Sequence, residues 1–163
     1  MKKSKEIALC GIFAALAVVI MCFGGMIPFM TYVCPVICIV IEGLIFKLCG
    51  RASALSWYAA VCILSLLLCP DKEAAALFLF LGYYPIVKHV VDRFKLGWLI
   101  KILFFNTAIL VLYWILMNLM GMGQLAEEFS ALGTVMTVIM LVMGNVVFLL
   151  IDKILDRINR KLK

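Results

Sequence analysis

One stretch near the middle of the chain has the length and the flanking charges of a membrane-crossing helix. Residues 74–91 are mostly apolar, are interrupted near Gly82 and Pro85, and follow the polar turn 70–73. As a helix of about 1.5 Å per residue they span roughly 27 Å, close to the hydrocarbon thickness of a bilayer. The acidic turn and the basic end at Lys88 and Arg93 are therefore expected on opposite sides of a membrane.

Five further apolar runs flank this stretch, and together they dominate the composition. The chain of 163 residues is 67% hydrophobic with a mean hydropathy of +1.20, whereas a soluble domain is about half apolar. Backbone groups in lipid are satisfied only within helices or closed barrels, and continuous runs of this length indicate helices. The sequence predicts an all-α polytopic integral membrane protein, a single domain over residues 1–163. Its six transmembrane helices are predicted at approximately 7–27, 31–49, 52–69, 74–91, 98–120 and 131–155.

The basic residues predict the orientation of these helices. With six spans, 14 of the 15 Lys and Arg residues lie on the side of both termini, and Lys72 lies on the other side. This asymmetry places both termini in the cytoplasm. The predicted location is therefore the plasma membrane, multi-pass and bacterial. The net charge of +6 is explained by topology and by contact with anionic membrane lipids, so a nucleic-acid partner is not needed.

Known enzyme and metal motifs do not fit this sequence. The seven cysteines lie within or at the ends of apolar runs without a CxxC or Cys/His pattern, which favours small buried apolar residues over a metal site. The pair Glu127-Glu128 is similar to the paired-glutamate motif of intramembrane prenyl-protein proteases, but Leu132 stands where that motif has Arg. With a single histidine in the chain, no nucleophile–base pair is evident. We expect no enzyme activity, no metal and no cofactor.

Glu42 is the ionisable residue that lies well inside a predicted span. It sits about 11 residues from the outer end of the second helix, roughly 16 Å deep, where a charge costs at least ~2.5–3.5 kcal/mol. Asn106 and Asn145 fall at a similar depth, as do Tyr83 and Tyr84. Three interpretations remain open: a proton relay or solute-pocket floor, interhelical hydrogen bonding by a neutral Glu42, or a contact from Glu42 toward Lys47.

A second polar and aromatic layer lies nearer the predicted outer surface. Aromatic walls with a few polar groups are typical of small-molecule pockets, although an outer aromatic belt also explains the two aromatic residues. The residues of this layer are Tyr113, Trp114, Asn118, Thr134 and Thr137. Together with Glu42 and Asn145 they are the predicted substrate-binding residues.

The first helix carries small residues on one face. Ala8, Gly11 and Ala15 recur at helical spacing, and such stripes allow helices to approach closely in lipid. Spacing alone leaves internal packing and docking of a partner protein equally open.

The size, the six helices and the opening MKKSKEIALCGIFAALAVVI resemble the substrate-binding S component of energy-coupling factor (ECF) vitamin transporters. The resemblance implies that Gly11 and Ala15, extended by Ala8, dock on a transmembrane coupling subunit. It also implies a vitamin or related micronutrient bound in the outer half and uptake powered by partner ATPases. Two alternatives remain: a non-transporting membrane scaffold similar to the rod-shape-determining membrane protein, and a small proton-coupled carrier that uses Glu42.

Overall fold

The computed structural model describes residues 3–26, 30–91, 97–118, 138, 141–142, 144–158 and 160, and the regular structure in this part of the chain is helical. The C-terminal segment is defined here as residues 144–158, which are also helical. The named elements are α1 (Lys3–Cys22), a 3-10 turn (Gly24–Met26), α2 (Met30–Cys49), α3 (Arg51–Leu68), α4 (Lys72–Leu81), α5 (Tyr84–Val91) and α6 (Gly97–Asn118).

Within the residues that the structure describes, three helices are long and apolar enough to cross a membrane. They are α1 with its 3-10 turn (24 residues), α2 (20 residues) and α3 (18 residues). Large apolar side chains point outward from α1 and α3, for example Ile7, Ile12 and Leu67. Side chains of this kind are stable against lipid and unfavourable against water. The fold is thus all-helical where it is described, with candidate spans that match the first three predicted helices closely.

The second helix is the centre of the packing. Helix α2 contacts α1, α3, α4 and α5, and its buried side chains include Cys34, Cys38, Ile39 and Ile45. Helix α1 lies against α2 and α3. Cys34, Cys38 and Cys62 are buried among apolar neighbours, in agreement with their interpretation as small core residues.

The predicted helix over 74–91 is interrupted in the structure. Helix α4 ends at Leu81 and α5 begins at Tyr84. A Cβ atom on Gly82 would lie 2.5 Å from the Phe78 carbonyl oxygen and 2.8 Å from Cε2 of Tyr58, so this turn requires glycine. The Tyr58 hydroxyl donates to the Leu79 carbonyl. That hydrogen bond satisfies a backbone acceptor at the end of α4 that a continuous helix would use internally.

The bundle has two distinct ends. At the first, the Lys72 end, Lys72 Nζ donates to the carbonyl oxygens of Leu66 (2.7 Å) and Cys69 (2.9 Å) at the end of α3. At the second, the Lys88 end, Phe46, Lys88 and Leu155 line one small cleft. The end of α2, the end of α5 and the C-terminal segment therefore meet there, which brings basic residues that are distant in sequence to one end of the fold.

Candidate functional site

The small-residue face of α1 is exposed. Ala8, Gly11 and Ala15 are all accessible, and a Cβ atom added at Gly11 would meet nothing within 4 Å. Small residues on a helix are usually explained by close packing against a neighbour. In the described part of the chain this face has no such neighbour, so packing among the described residues does not account for Gly11.

An open groove of about 590 Å³ runs between α1 and α3 beside this face. Its walls are mostly small side chains, including Gly11, Ala14 and Ala60, and Trp57 also lines it. At one end Lys3 and Glu6 add polar groups, and the Ser53 hydroxyl donates to Glu6 at 2.7 Å. Because both helices are candidate spans, the groove lies on the surface that would face lipid or another membrane protein.

Glu42 is completely buried in α2. The side chain is 0% exposed, and neither carboxyl oxygen has a hydrogen-bond partner among the described residues. Tyr58 and Cys62 of α3 lie close enough to interact with it electrostatically. The hydrogen bonds considered above, to Asn, Tyr or Lys47, are not formed, and Tyr84 donates to Asp152 instead. An unpaired buried carboxyl group costs stability, which is the reason to consider a functional role for it.

Two of the polar residues predicted at one depth do meet. Asn145 Nδ2 in the C-terminal segment donates to Asn106 Oδ1 in α6 at 2.8 Å. Each amide also donates to a carbonyl one turn earlier in its own helix, Asn106 to Ile102 at 3.0 Å and Asn145 to Leu141 at 2.7 Å. These contacts make the pair an interhelical hydrogen-bonded link, and the solute-binding role of Asn145 remains a prediction.

The predicted outer pocket lies mostly outside the described residues. Thr134 and Thr137 are not among them, and the side chains of Tyr113 and Asn118 on α6 are not described either. Trp114 lies on the outer surface of α6 and is 63% exposed. The pocket therefore stays a prediction.

A buried charge cluster joins α5, α6 and the C-terminal segment, and the sequence analysis missed it. Lys88 and Tyr84 both donate to Asp152 Oδ1, and Lys101 Nζ lies 3.2 Å from the same oxygen. Lys88 also pairs with Asp156 at 3.0 Å. Lys88 is 2% exposed and Lys101 is 9% exposed. The available signal was the spacing of Asp152 and Asp156, one helical turn apart.

The electrostatics of this cluster are balanced. Asp152 lies in the last turns of the predicted sixth helix, directly after the apolar residues 131–151. It accepts hydrogen bonds from Lys88 and Tyr84 and lies beside the ammonium group of Lys101. The carboxylates of Asp152 and Asp156 together offset the positive charges of Lys88 and Lys101. The cluster is a structural clamp at the Lys88 end.

No protein-family model, curated protein or solved structure matches this chain. The likeness to S components accordingly rests on the small-residue motif of the first helix and on the predicted helix count. The three features on which function can be argued are the groove with the α1 face, the buried Glu42, and the predicted outer pocket.

Proposed function

We propose that this protein is the membrane-embedded solute-binding subunit of an uptake system for a vitamin or related micronutrient. It crosses a bacterial plasma membrane six times with both termini in the cytoplasm. A transmembrane coupling subunit docks on α1, and partner ATPases supply the energy. The distribution of the lysine and arginine residues along the chain supports this orientation, because it gives one side of the membrane nearly all of the basic residues. The meeting of α2, α5 and the C-terminal segment at the Lys88 end also supports it.

The observation that carries the proposal is the exposed face of α1 beside the groove. Ala8, Gly11 and Ala15 leave room for close approach of a helix, and the neighbouring groove adds small side chains from α3. A transmembrane helix of the coupling subunit is the occupant that the resemblance implies and that this shape accommodates. A partner of a non-transporting scaffold would dock on the same face. Docking alone therefore does not distinguish the two functions, and solute binding has to be tested as well.

The first test concerns docking. Gly11→Leu fills the face that the coupling subunit would contact, so we expect the complex to be lost while the isolated protein remains as stable as the wild type. Stability should not change because a Cβ at Gly11 meets nothing within 4 Å. The measurement is co-purification of the coupling subunit from native membranes, with thermal unfolding of the free protein beside it.

Leu16→Phe is the matched control, since Leu16 is also exposed on α1, is not part of the groove lining and lies about 100° around the helix from Ala15. This control should retain the complex. If Gly11→Leu co-purifies with an unchanged set of membrane proteins, α1 is not the docking helix.

The second test concerns the solute. A tight ligand stabilises the folded protein by about 2.7 kcal/mol at 100 times its dissociation constant, so one member of a panel of vitamins and precursors should raise the unfolding temperature of the purified protein. Thr137→Val and Asn118→Ala should remove this shift if those residues hold the ligand. A panel in which no compound changes the unfolding temperature argues for the scaffold.

A second function, a proton-coupled carrier, is favoured by one specific observation. Glu42 is fully buried without a hydrogen-bond partner among the described residues. Retaining such a group in a membrane-spanning helix is costly, and proton relays are a common reason to retain one. In this carrier the Glu42 carboxyl group binds and releases the coupling proton, and the partner ATPases are not needed.

A further inference from the structure

Two cysteines meet at the Lys72 end of the bundle. Cys22 is the last residue of α1, and Cys69 follows the last residue of α3. Their Sγ atoms are 3.4 Å apart, although 47 residues separate them in sequence. A disulfide bond requires about 2.05 Å between the sulfur atoms, so closing the gap takes a movement of roughly 1.4 Å.

The surroundings of this pair suit a covalent link. Cys69 is buried, while Cys22 is partly accessible and can therefore meet an oxidant from outside the bundle. The backbone at Cys69 is held by two hydrogen bonds: its amide donates to Ser65 at 3.0 Å, and its carbonyl accepts from Lys72 at 2.9 Å. A bond here would tie α1 to the junction of α3 and α4.

The location also matters for redox chemistry. The Lys72 end is the end that the distribution of basic residues places outside the cytoplasm. Disulfide bonds persist in compartments outside the cytoplasm and are rare within it. Cys10 and Cys49 also lie close enough for their thiols to interact, but Cys49 ends α2, toward the predicted cytoplasmic side. The fold thus contains a second close pair that serves as an internal control.

We propose that Cys22 and Cys69 form a disulfide bond in the cell. In the reaction, the Cys22 thiolate attacks a disulfide of an outer-compartment thiol oxidant and gives a mixed disulfide. Cys69 then displaces the oxidant's second thiol. The two cysteines lose two protons and two electrons, and the oxidant is reduced to two thiols. The bond closes the segment that contains α2 and α3, which restricts the unfolded chain and stabilises the fold.

The test in cells uses the wild-type protein, so it does not depend on whether a variant folds. Cells are lysed directly into denaturant that contains excess maleimide, so that every free thiol, including the buried ones, takes the first label, and thiols freed by later reduction are labelled with a second reagent. We expect two of the seven cysteines to take only the second label, with a linked peptide that contains Cys22 and Cys69. Cys10 and Cys49 should both take the first label.

The purified protein provides a second arm. In a Cys10→Ser background, which removes the other close pair, oxidised glutathione should remove two thiols from the reduced protein and raise its unfolding temperature by about 5 °C or more. Cys22→Ser and Cys69→Ser should show neither the loss of two thiols nor the rise in unfolding temperature.

The proposal is overturned if all seven cysteines take the first label in cells, if a different pair is linked, or if oxidised glutathione cannot close the bond. Solute binding and docking are measured in separate experiments. If the disulfide bond does not form, the proposed function can therefore still be tested.

Discussion

Asp152→Asn should lower the free energy of unfolding by about 3 kcal/mol. The substitution keeps the size of the side chain and removes the negative charge that faces Lys88 and Lys101. Both lysines are almost fully buried, and removing an ion pair from a buried charge is far more costly than removing one from an exposed charge. Reversible unfolding of the purified protein in detergent, followed by circular dichroism, measures the change.

Asp156→Asn is the matched control for this prediction. Asp156 also pairs with Lys88, but its side chain is 49% exposed, and exposed ion pairs contribute about 0–1 kcal/mol. The double variant Lys88→Met with Asp152→Leu should recover part of the loss, because apolar residues can replace a buried pair. Equal effects of Asp152→Asn and Asp156→Asn would show that the cluster is solvated rather than buried.

Glu42→Met should have the opposite sign and raise the free energy of unfolding by about 1–3 kcal/mol. Methionine is similar in length and needs no hydrogen bonds, whereas the carboxyl oxygens of Glu42 are buried and have no hydrogen-bond partner among the described residues. Glu42→Gln keeps a polar group at the same place, so its stability should stay near that of the wild type. The same detergent unfolding assay compares all three proteins.

A loss of stability in Glu42→Met would contradict this expectation and show that the carboxyl group is bound by the rest of the fold.

The two variants also separate the proposed functions. A proton-coupled carrier should lose the pH dependence of solute uptake into membrane vesicles in Glu42→Gln. Unchanged uptake over a pH series, in both wild type and variant, would remove the carrier from consideration and leave the ATPase-driven system.

The boundaries of the first three helices were predictable because they depend on local properties. Predicted helices at 31–49 and 52–69 correspond to α2 (Met30–Cys49) and α3 (Arg51–Leu68). Glycines at positions 24, 25 and 50 and the turn at 70–73 separate the apolar runs, and helix length in lipid follows from the length of an apolar run. The break near Gly82 was also visible, since Gly and Pro both weaken a helix, although Pro35 is accommodated within α2.

The partners of the polar residues were harder to predict. Asn106 and Asn145 were expected at one depth and do form a hydrogen bond. Tyr84, expected in the same layer as Glu42, instead contacts Asp152. Depth along a helix follows from counting residues, but the direction in which a side chain points depends on how each helix is rotated against its neighbours.

The amino-acid sequence by itself determined that apolar helices form and, for α1 to α3, approximately where they begin and end. Those properties follow from residues within a few turns of each other. Only the tertiary structure decided that Lys88 and Lys101 share Asp152, that Cys22 meets Cys69, and that Glu42 meets no hydrogen-bonding group in the described chain. Such pairings join residues up to 68 positions apart, and they depend on the packing of whole helices.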